Sequence, residues 1–419
     1  MLDRTVAPPY VASTGFALIE PERRILPNGV ELFIVRGGSQ DVVKIEMLFR
    51  AGRWVEKKWG ACYFTSNLLT RGTRYKNSFQ IAQLFDQYGA HIEVHSGLDV
   101  LSISIYSLAK HLRPVLQLLK EILQEPIFPQ KEIDQSKAIY LQNLKVNNEK
   151  TSFLASKFFR KSLFGENHPY GKELDERDIH GLEQQHLFEH FDNFLQDFVV
   201  FASGKIDKPH SELMEELFSS WTIKPSKDTL RELSGRKPLR ELVEKENSVQ
   251  SSVRMGRRSI VRMDPDYFKT LLATHILGGY FGSRLMKNIR EEKGLTYGIY
   301  SSLHALKHGS YLVIGADVNR ENVDVIFEEI RKELNTLRTQ EISLDELETA
   351  RNHFIGSLQS EITTPFAHEE KLNRIYLYGL PSTYYQDMIS QVQRTLPFEI
   401  AEVSEKHLRE DDFFEIAVG

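Results

Sequence analysis

At 419 residues, with 41% hydrophobic and 26% charged side chains, the composition is that of a globular protein too long for one ordinary core, so two domains of about 200 residues are expected. A net charge of −5 gives no reason to expect a nucleic-acid partner, and no run approaches the ~20 apolar residues that span a membrane. The single cysteine, Cys62, excludes an internal disulfide and any cysteine-rich metal site.

The opening M-L-D-R-T-V-A-P-P-Y lacks the apolar centre of a signal peptide, which favours a cytoplasmic location over a periplasmic one. Arg23 to Val35 holds two strand-like runs around Pro-Asn-Gly, a hairpin signal, and Val42 to Phe49 alternates as a third strand. Gly60 to Thr73 reads as a short helix, with Phe64, Leu68 and Leu69 at helical spacing. A second helix follows and closes at Gly89, and His91 to Tyr106 alternates on both sides of Gly97 as another hairpin. Helices are predicted over Leu112 to Leu123, Glu132 to Val146, around Phe153 to Leu163, and over Leu182 to Leu195, before a strand from Phe198 to Gly204.

From about Trp221 to Asn247 the sequence turns polar and loses its periodicity, so a linker is placed at 221–247, between domains at 1–220 and 248–419. The order of elements then begins again. A strand (Val249 to Met255) leads into helices (Tyr267 to Leu277 and Ser283 to Glu291). Strands follow (Tyr297 to Leu303 and Ser310 to Ala316), then a helix from Glu321 to Leu337 and another beginning at Leu344. The run from Pro129 matches in character the run from Ser343, 214 residues later, as one unit repeated twice would.

Within the Gly60 helix, Tyr63, Ser66 and Asn67 stand at i, i+3 and i+4 and share a face. A catalytic zinc helix of the H-x-x-E-H kind needs that geometry with two imidazoles and a glutamate base. G-A-C-Y-F-T-S-N-L-L-T-R-G-T resembles the zinc helix of the insulinase/pitrilysin-like peptidases, with Tyr63 and Asn67 at the histidine positions and Ser66 at the base. The resemblance puts Asn143 at the third-ligand glutamate and Ser136 at a supporting acid. It implies an α+β fold of two homologous α/β halves, each a mostly antiparallel sheet with helices packed on one face. An asparagine amide is a weak ligand for Zn²⁺, and without an acid at the base position water activation has no acceptor. The chain is therefore expected to bind no metal.

A literal H-x-x-E-H occurs at His186, Glu189 and His190. With Leu187, Phe191, Phe194 and Leu195 as the buried stripe, all three are expected on the solvent side, where a catalytic zinc lacks a third ligand and a cavity. The most specific match is G-G-Y-F-G-S-R-L-M-K-N-I-R-E-E-K-G-L-T-Y-G-I-Y, from Gly278, which resembles the family's second-half signature. Its arginine and tyrosine, here Arg290 and Tyr297, bind substrate and stabilise the oxyanion beside the zinc site of an opposing half, as the resemblance implies.

An Arg/Tyr pair without zinc ligands resembles one subunit of the two-subunit, mitochondrial-processing-peptidase-like branch. The expected partners are a zinc-bearing homologue and an unfolded peptide, with the zinc held by that homologue. Two alternatives stand beside this reading: a catalytically inactive scaffold or core subunit of the same fold, and an independent metalloenzyme using His186, Glu189 and His190.

Overall fold

The computed structural model describes Thr5 and residues 17–195, 197–224, 236–246 and 248–419. The opening stretch read for a leader, Thr5 apart, and residues 225–235 and 247 of the expected linker lie outside the described residues. Among those described, no helix is long and apolar enough to cross a membrane.

The first half builds a six-stranded sheet from β1 (Glu22–Ile25), β2 (Glu31–Arg36), β3 (Val42–Phe49), β4 (His91–Ser96), β5 (Leu101–Leu108) and β6 (Phe198–Gly204), in the order β1-β2-β6-β3-β5-β4. Only β2 and β6 run parallel; the other neighbours are antiparallel. Its helices are α1 (Ala61–Leu68), α2 (Ser78–Gln87), α3 (Leu112–Gln124), α4 (Gln130–Asn148), α5 (Thr151–Phe164), α6 (Glu176–His180), α7 (Gln184–Phe194) and α8 (Lys208–Ser219). The second half has β7 (Arg240–Val243), β8 (Gln250–Ser259), β9 (Thr296–Ala305), β10 (Ser310–Asn319) and β11 (Phe414–Val418), in the order β7-β11-β8-β10-β9. Its helices are α9 (Tyr267–Gly278), α10 (Val323–Thr339), α11 (Leu344–Ser360), α12 (Pro365–Tyr378), α13 (Tyr384–Arg394) and α14 (Pro397–His407).

The two sheets repeat one plan. β7-β11 is a parallel pair in the second sheet, as β2-β6 is in the first. Helices α5 and α12 have 14 residues each and begin and end 214 positions apart, the spacing seen in the sequence. The expected linker is corrected by β7. Arg240–Val243 pairs along β11 and belongs to the second sheet, so that sheet starts before residue 248. Four residues without apolar alternation gave no strand signal, because β7 is an edge strand with its side chains largely exposed.

Helices cover one face of each sheet from within its own half, as expected, but the other face is covered too, by a helix from the opposite half. On the first sheet Phe33, Leu48, Val199 and Phe201 point away from their own helices and pack on Leu372 and Tyr376 of α12. On the second sheet Val313, Phe414, Ile416 and Val418 join the core that holds Phe159 and Leu163 of α5. Phe159 lies against the backbone of β8, where a Cβ at Gly256 would come within 2.8 Å of its ring. The halves are thus interlocked rather than strung on a linker.

Each exchange carries a buried base. On β8, Arg254 donates to Ser156 Oγ at 3.2 Å and to the Ser152 carbonyl at 3.4 Å, both on α5. On β3, buried Lys44 lies 2.7 Å from Glu46 and 3.2 Å from Glu369 of α12. Asn373 Nδ2 also donates to Glu46, at 2.9 Å, and Ser203 Oγ bonds Glu369. Burial acts to lower Lys44, but the Glu46 carboxylate, through its charge and its hydrogen bond, outweighs it and holds the amine charged. Glu369 is fully buried, and that desolvation, with Glu46 beside it, pushes its carboxyl up to about 8. One lysine therefore serves one carboxylate, Glu46, while Glu369 keeps its proton at neutral pH.

The unfolded Glu369 carboxyl ionises near 4.5 and the folded one near 8, so between these values the folded state holds the extra proton. This contribution to stability is complete below 4.5 and is lost as pH rises to about 8. Thermal unfolding followed across that range should show the decline in the wild type and a flatter profile in Glu369→Gln. Parallel profiles would mean that Glu369 is ionised in the fold.

Candidate functional site

The N-terminus of α1 is built by two residues. Gly60 takes φ 95°, a left-handed conformation that costs glycine little. The buried Glu56 carboxylate accepts from the Gly60 and Cys62 amides at 3.2 and 3.1 Å, which meets the helix dipole with negative charge. Arg53 stands 3.8 Å from that carboxylate. The sequence reading passed over Glu56, although an acid just ahead of a helix start is a recognisable capping signal.

The five zinc-motif positions have other engagements. Tyr63 packs edge-on against Tyr140 of α4, with ring centroids 4.9 Å apart, and burial raises the titration of both phenols. Ser66 Oγ and Asn67 Nδ2 each donate 2.8 Å back to the Tyr63 carbonyl, Ser66 from a buried position and Asn67 from an exposed one. Asn67 therefore does not fill a cavity. On α4, Ser136 is half-buried and Asn143 exposed. These side chains do not fit a zinc ion: no imidazole, thiolate or carboxylate is among them, and the hydroxyl and amide on α1 are turned to their own backbone. Tyr63 borders a cleft of about 320 Å³ with Arg53, Glu56, His95 and Leu174.

The second histidine-rich motif requires a correction. His190 is 3% exposed rather than solvent-facing, and its Nε2 lies 2.9 Å from the Ala51 carbonyl. Burial lowers its titration to about 4, which keeps the ring neutral. Helix α7 packs along α1, where the Leu187 carbonyl accepts from Thr65, and His190 lies three residues beyond Leu187, inside the stripe the spacing already defined. His186 Nδ1 accepts from the Glu183 amide in the cap of the same helix, and Glu189 is exposed. The three side chains do not converge.

Arg290 and Tyr297 do come together. The predicted helix over Ser283 to Glu291 is a π-helix from Met286 to Glu292, with the Lys293 amide bonded five residues back to the Asn288 carbonyl. That wider turn resets the direction in which Arg290 points, and its guanidinium lies 4.8 Å over the Phe281 ring. Tyr297 sits at a bulge. The β9–β10 register shifts between Ala316 and Val318, and Thr296 holds the irregular turn by bonding the Asp317 carbonyl at 2.7 Å. Tyr297 is left 92% exposed. Both residues line a cleft of about 580 Å³ with Gln250, Asp317 and Asn319. It shares no lining residue with the cleft beside Tyr63.

Two family models match in tandem: Insulinase (Peptidase family M16) over residues 34–171, and Peptidase M16 inactive domain over residues 185–354. The chain belongs to the M16 insulinase family. Among M16 relatives, a Helicobacter pylori protein named non-peptidase homolog YmxG is 26% identical, over 94% of this chain and 90% of its own length. The uncharacterized zinc protease YmxG of Bacillus subtilis is 22% identical, over 80% of this chain and 83% of its own. A crystal structure of a peptidase M16 inactive domain from Pseudomonas fluorescens superposes with a TM-score of 0.88 at 23% identity, covering 95% of this chain and 98% of that one. This last likeness shows a shared fold.

If Tyr63, Asn67 and Asn143 stand where M16 peptidases place their ligands, the triple variant Tyr63→His, Asn67→His, Asn143→Glu should regain a zinc site of about one equivalent. Zinc content after dialysis measures this. A folded triple variant holding no more zinc than the wild type would mean that the positions are misassigned.

Proposed function

We propose that this chain is the non-zinc-binding, Arg/Tyr-bearing subunit of a two-subunit M16 metallopeptidase, and that it acts on unfolded peptide together with a zinc-bearing homologue. One observation carries the reading: Arg290 and Tyr297 are presented by a π-helix and a bulge into one open cleft, in a chain whose own zinc positions lack suitable donors. Irregular backbone of this kind, which re-aims two polar side chains into a common space, has no use in packing an exposed tyrosine.

In this role the partner's zinc supplies water activation. Arg290 offers several N–H donors in fixed geometry to substrate carbonyls, and the Tyr297 hydroxyl donates to the carbonyl oxygen as negative charge builds on it. Full exposure of the Tyr297 ring in the isolated chain suits a side chain that is buried when the partner closes over it.

A second reading has support of its own. The Helicobacter pylori relative is named a non-peptidase homolog, and a catalytically inactive scaffold of this fold would leave the Arg290–Tyr297 cleft inert.

A mixing experiment separates the two. The chain alone should cleave no peptide, and adding a homologue from the same genome that carries H-x-x-E-H should produce hydrolysis. Tyr297→Phe should lower kcat/KM of the mixture by roughly 100-fold, the scale of one lost oxyanion donor, with the unfolding midpoint unchanged. Chelator-sensitive proteolysis by the chain alone would rule out the division of labour, and indifference to Tyr297→Phe would favour the scaffold.

A further inference from the structure

Helices α9 and α11 stand in the second half where α1 and α4 stand in the first, and there two imidazoles face each other. His275 Nε2 of α9 lies 3.2 Å from His353 Nδ1 of α11. The arrangement is built rather than incidental. Tyr280 stacks on His275 with centroids 5.0 Å apart and planes within 13°, and it also packs on His353 at 4.9 Å. Phe354 meets His275 edge-on at 5.4 Å. Gly279 leaves the space the ring occupies: a Cβ there would fall 2.5 Å from His275 Nδ1. Ser357 Oγ stands 3.4 Å from His353 Nδ1, one helical turn further along α11.

We propose that His275 and His353 form a two-imidazole site for a late first-row divalent ion of the Cu(II), Ni(II) or Zn(II) class. The spacing is the first argument. Two ligands each about 2.0–2.1 Å from a tetrahedral ion stand about 3.3 Å apart, so the observed separation needs little movement. The donor type is the second, since imidazole suits these ions and selects against calcium and magnesium. In the metal-free chain the same two nitrogens share one N–H···N hydrogen bond; when the ion binds, that proton shifts to the other nitrogen of its own ring, which leaves both facing nitrogens free to ligate. His353 is exposed, so the site opens to solvent and water completes the coordination. Such a site is weaker than a four-ligand zinc centre, and it lies on other helices than the zinc-motif positions. It is independent of the pairing proposed above, and it concerns a place other than the one for which the sequence predicts no metal.

The test uses the full chain, stripped with chelator, and Cu(II) alone as the probe. Titration should show about one equivalent bound, and the electron paramagnetic resonance spectrum should carry coupling to two imidazole nitrogens. His353→Ala, at an exposed position that leaves folding intact, should weaken binding by about tenfold or more and remove one nitrogen from the coupling. His275→Gln should do the same, with circular dichroism as the folding check. Asp266→Asn, in the separate group formed by Asp264, Asp266 and His407, and His186→Ala, on α7, should change neither quantity. A wild-type spectrum without two-nitrogen coupling, or undiminished binding by His353→Ala, would overturn the proposal.

Discussion

The reciprocal exchange of α5 and α12 between the sheets is the constraint on which the rest of this molecule depends. Each sheet has two apolar faces, and its own helices cover only one. The second face of the first sheet, with Phe33, Val199 and Phe201, is closed by α12, and that of the second sheet, with Val313, Phe414 and Ile416, by α5. Neither half buries its sheet without the other, so the pair behaves as one folding problem. Secondary ties follow the same logic. Asp99, in the β4–β5 turn, accepts from the Lys307 amide of the β9–β10 turn at 2.9 Å, and Trp54 stacks on His308 at 4.0 Å.

Basic residues inside this interface look expensive, because a buried charge must be both paired and hydrogen-bonded. The protein meets the requirement differently on its two sides. Arg254 spreads its donors over a hydroxyl and backbone carbonyls, whereas Lys44 takes a carboxylate, and the spare carboxyl of Glu369 is kept protonated by burial. Both solutions fix the angle at which the foreign helix crosses the sheet, and apolar contacts alone do so less uniquely. That rigid frame positions α1 and the π-helix relative to solvent, and so decides what each motif presents.

Much of the architecture was legible. The turn at Pro27-Asn28-Gly29, the strict alternation of β4 and β5, the glycine stops and the 214-residue repeat are local or periodic signals, and strands and helices stand where they predicted. The losses have physical reasons. Strand β7 is short and exposed, so it has no burial pattern to display. The helices α13 and α14 and strand β11, at the end of the chain, went unread, although β11 is buried along its whole length. The polarity of His190 points to the solvent side, but its spacing from Leu187 sets it in the buried stripe, where packing against α1 and the Ala51 carbonyl claim it.

By itself the sequence determined which chemistry is available: a helix that resembles a zinc helix but has no imidazoles, an Arg290–Tyr297 pair seven residues apart, and the apolar periodicity of two repeated halves. Tertiary structure decided how that chemistry is displayed. Spacing along a chain cannot report a π-turn, a bulge or a helix borrowed from the other half, because each arises from contacts between residues distant in sequence. For that reason Tyr297 stands in solvent, Ser66 and Asn67 are turned onto the carbonyl of Tyr63, and His275 faces His353 across two helices that the sequence leaves unrelated.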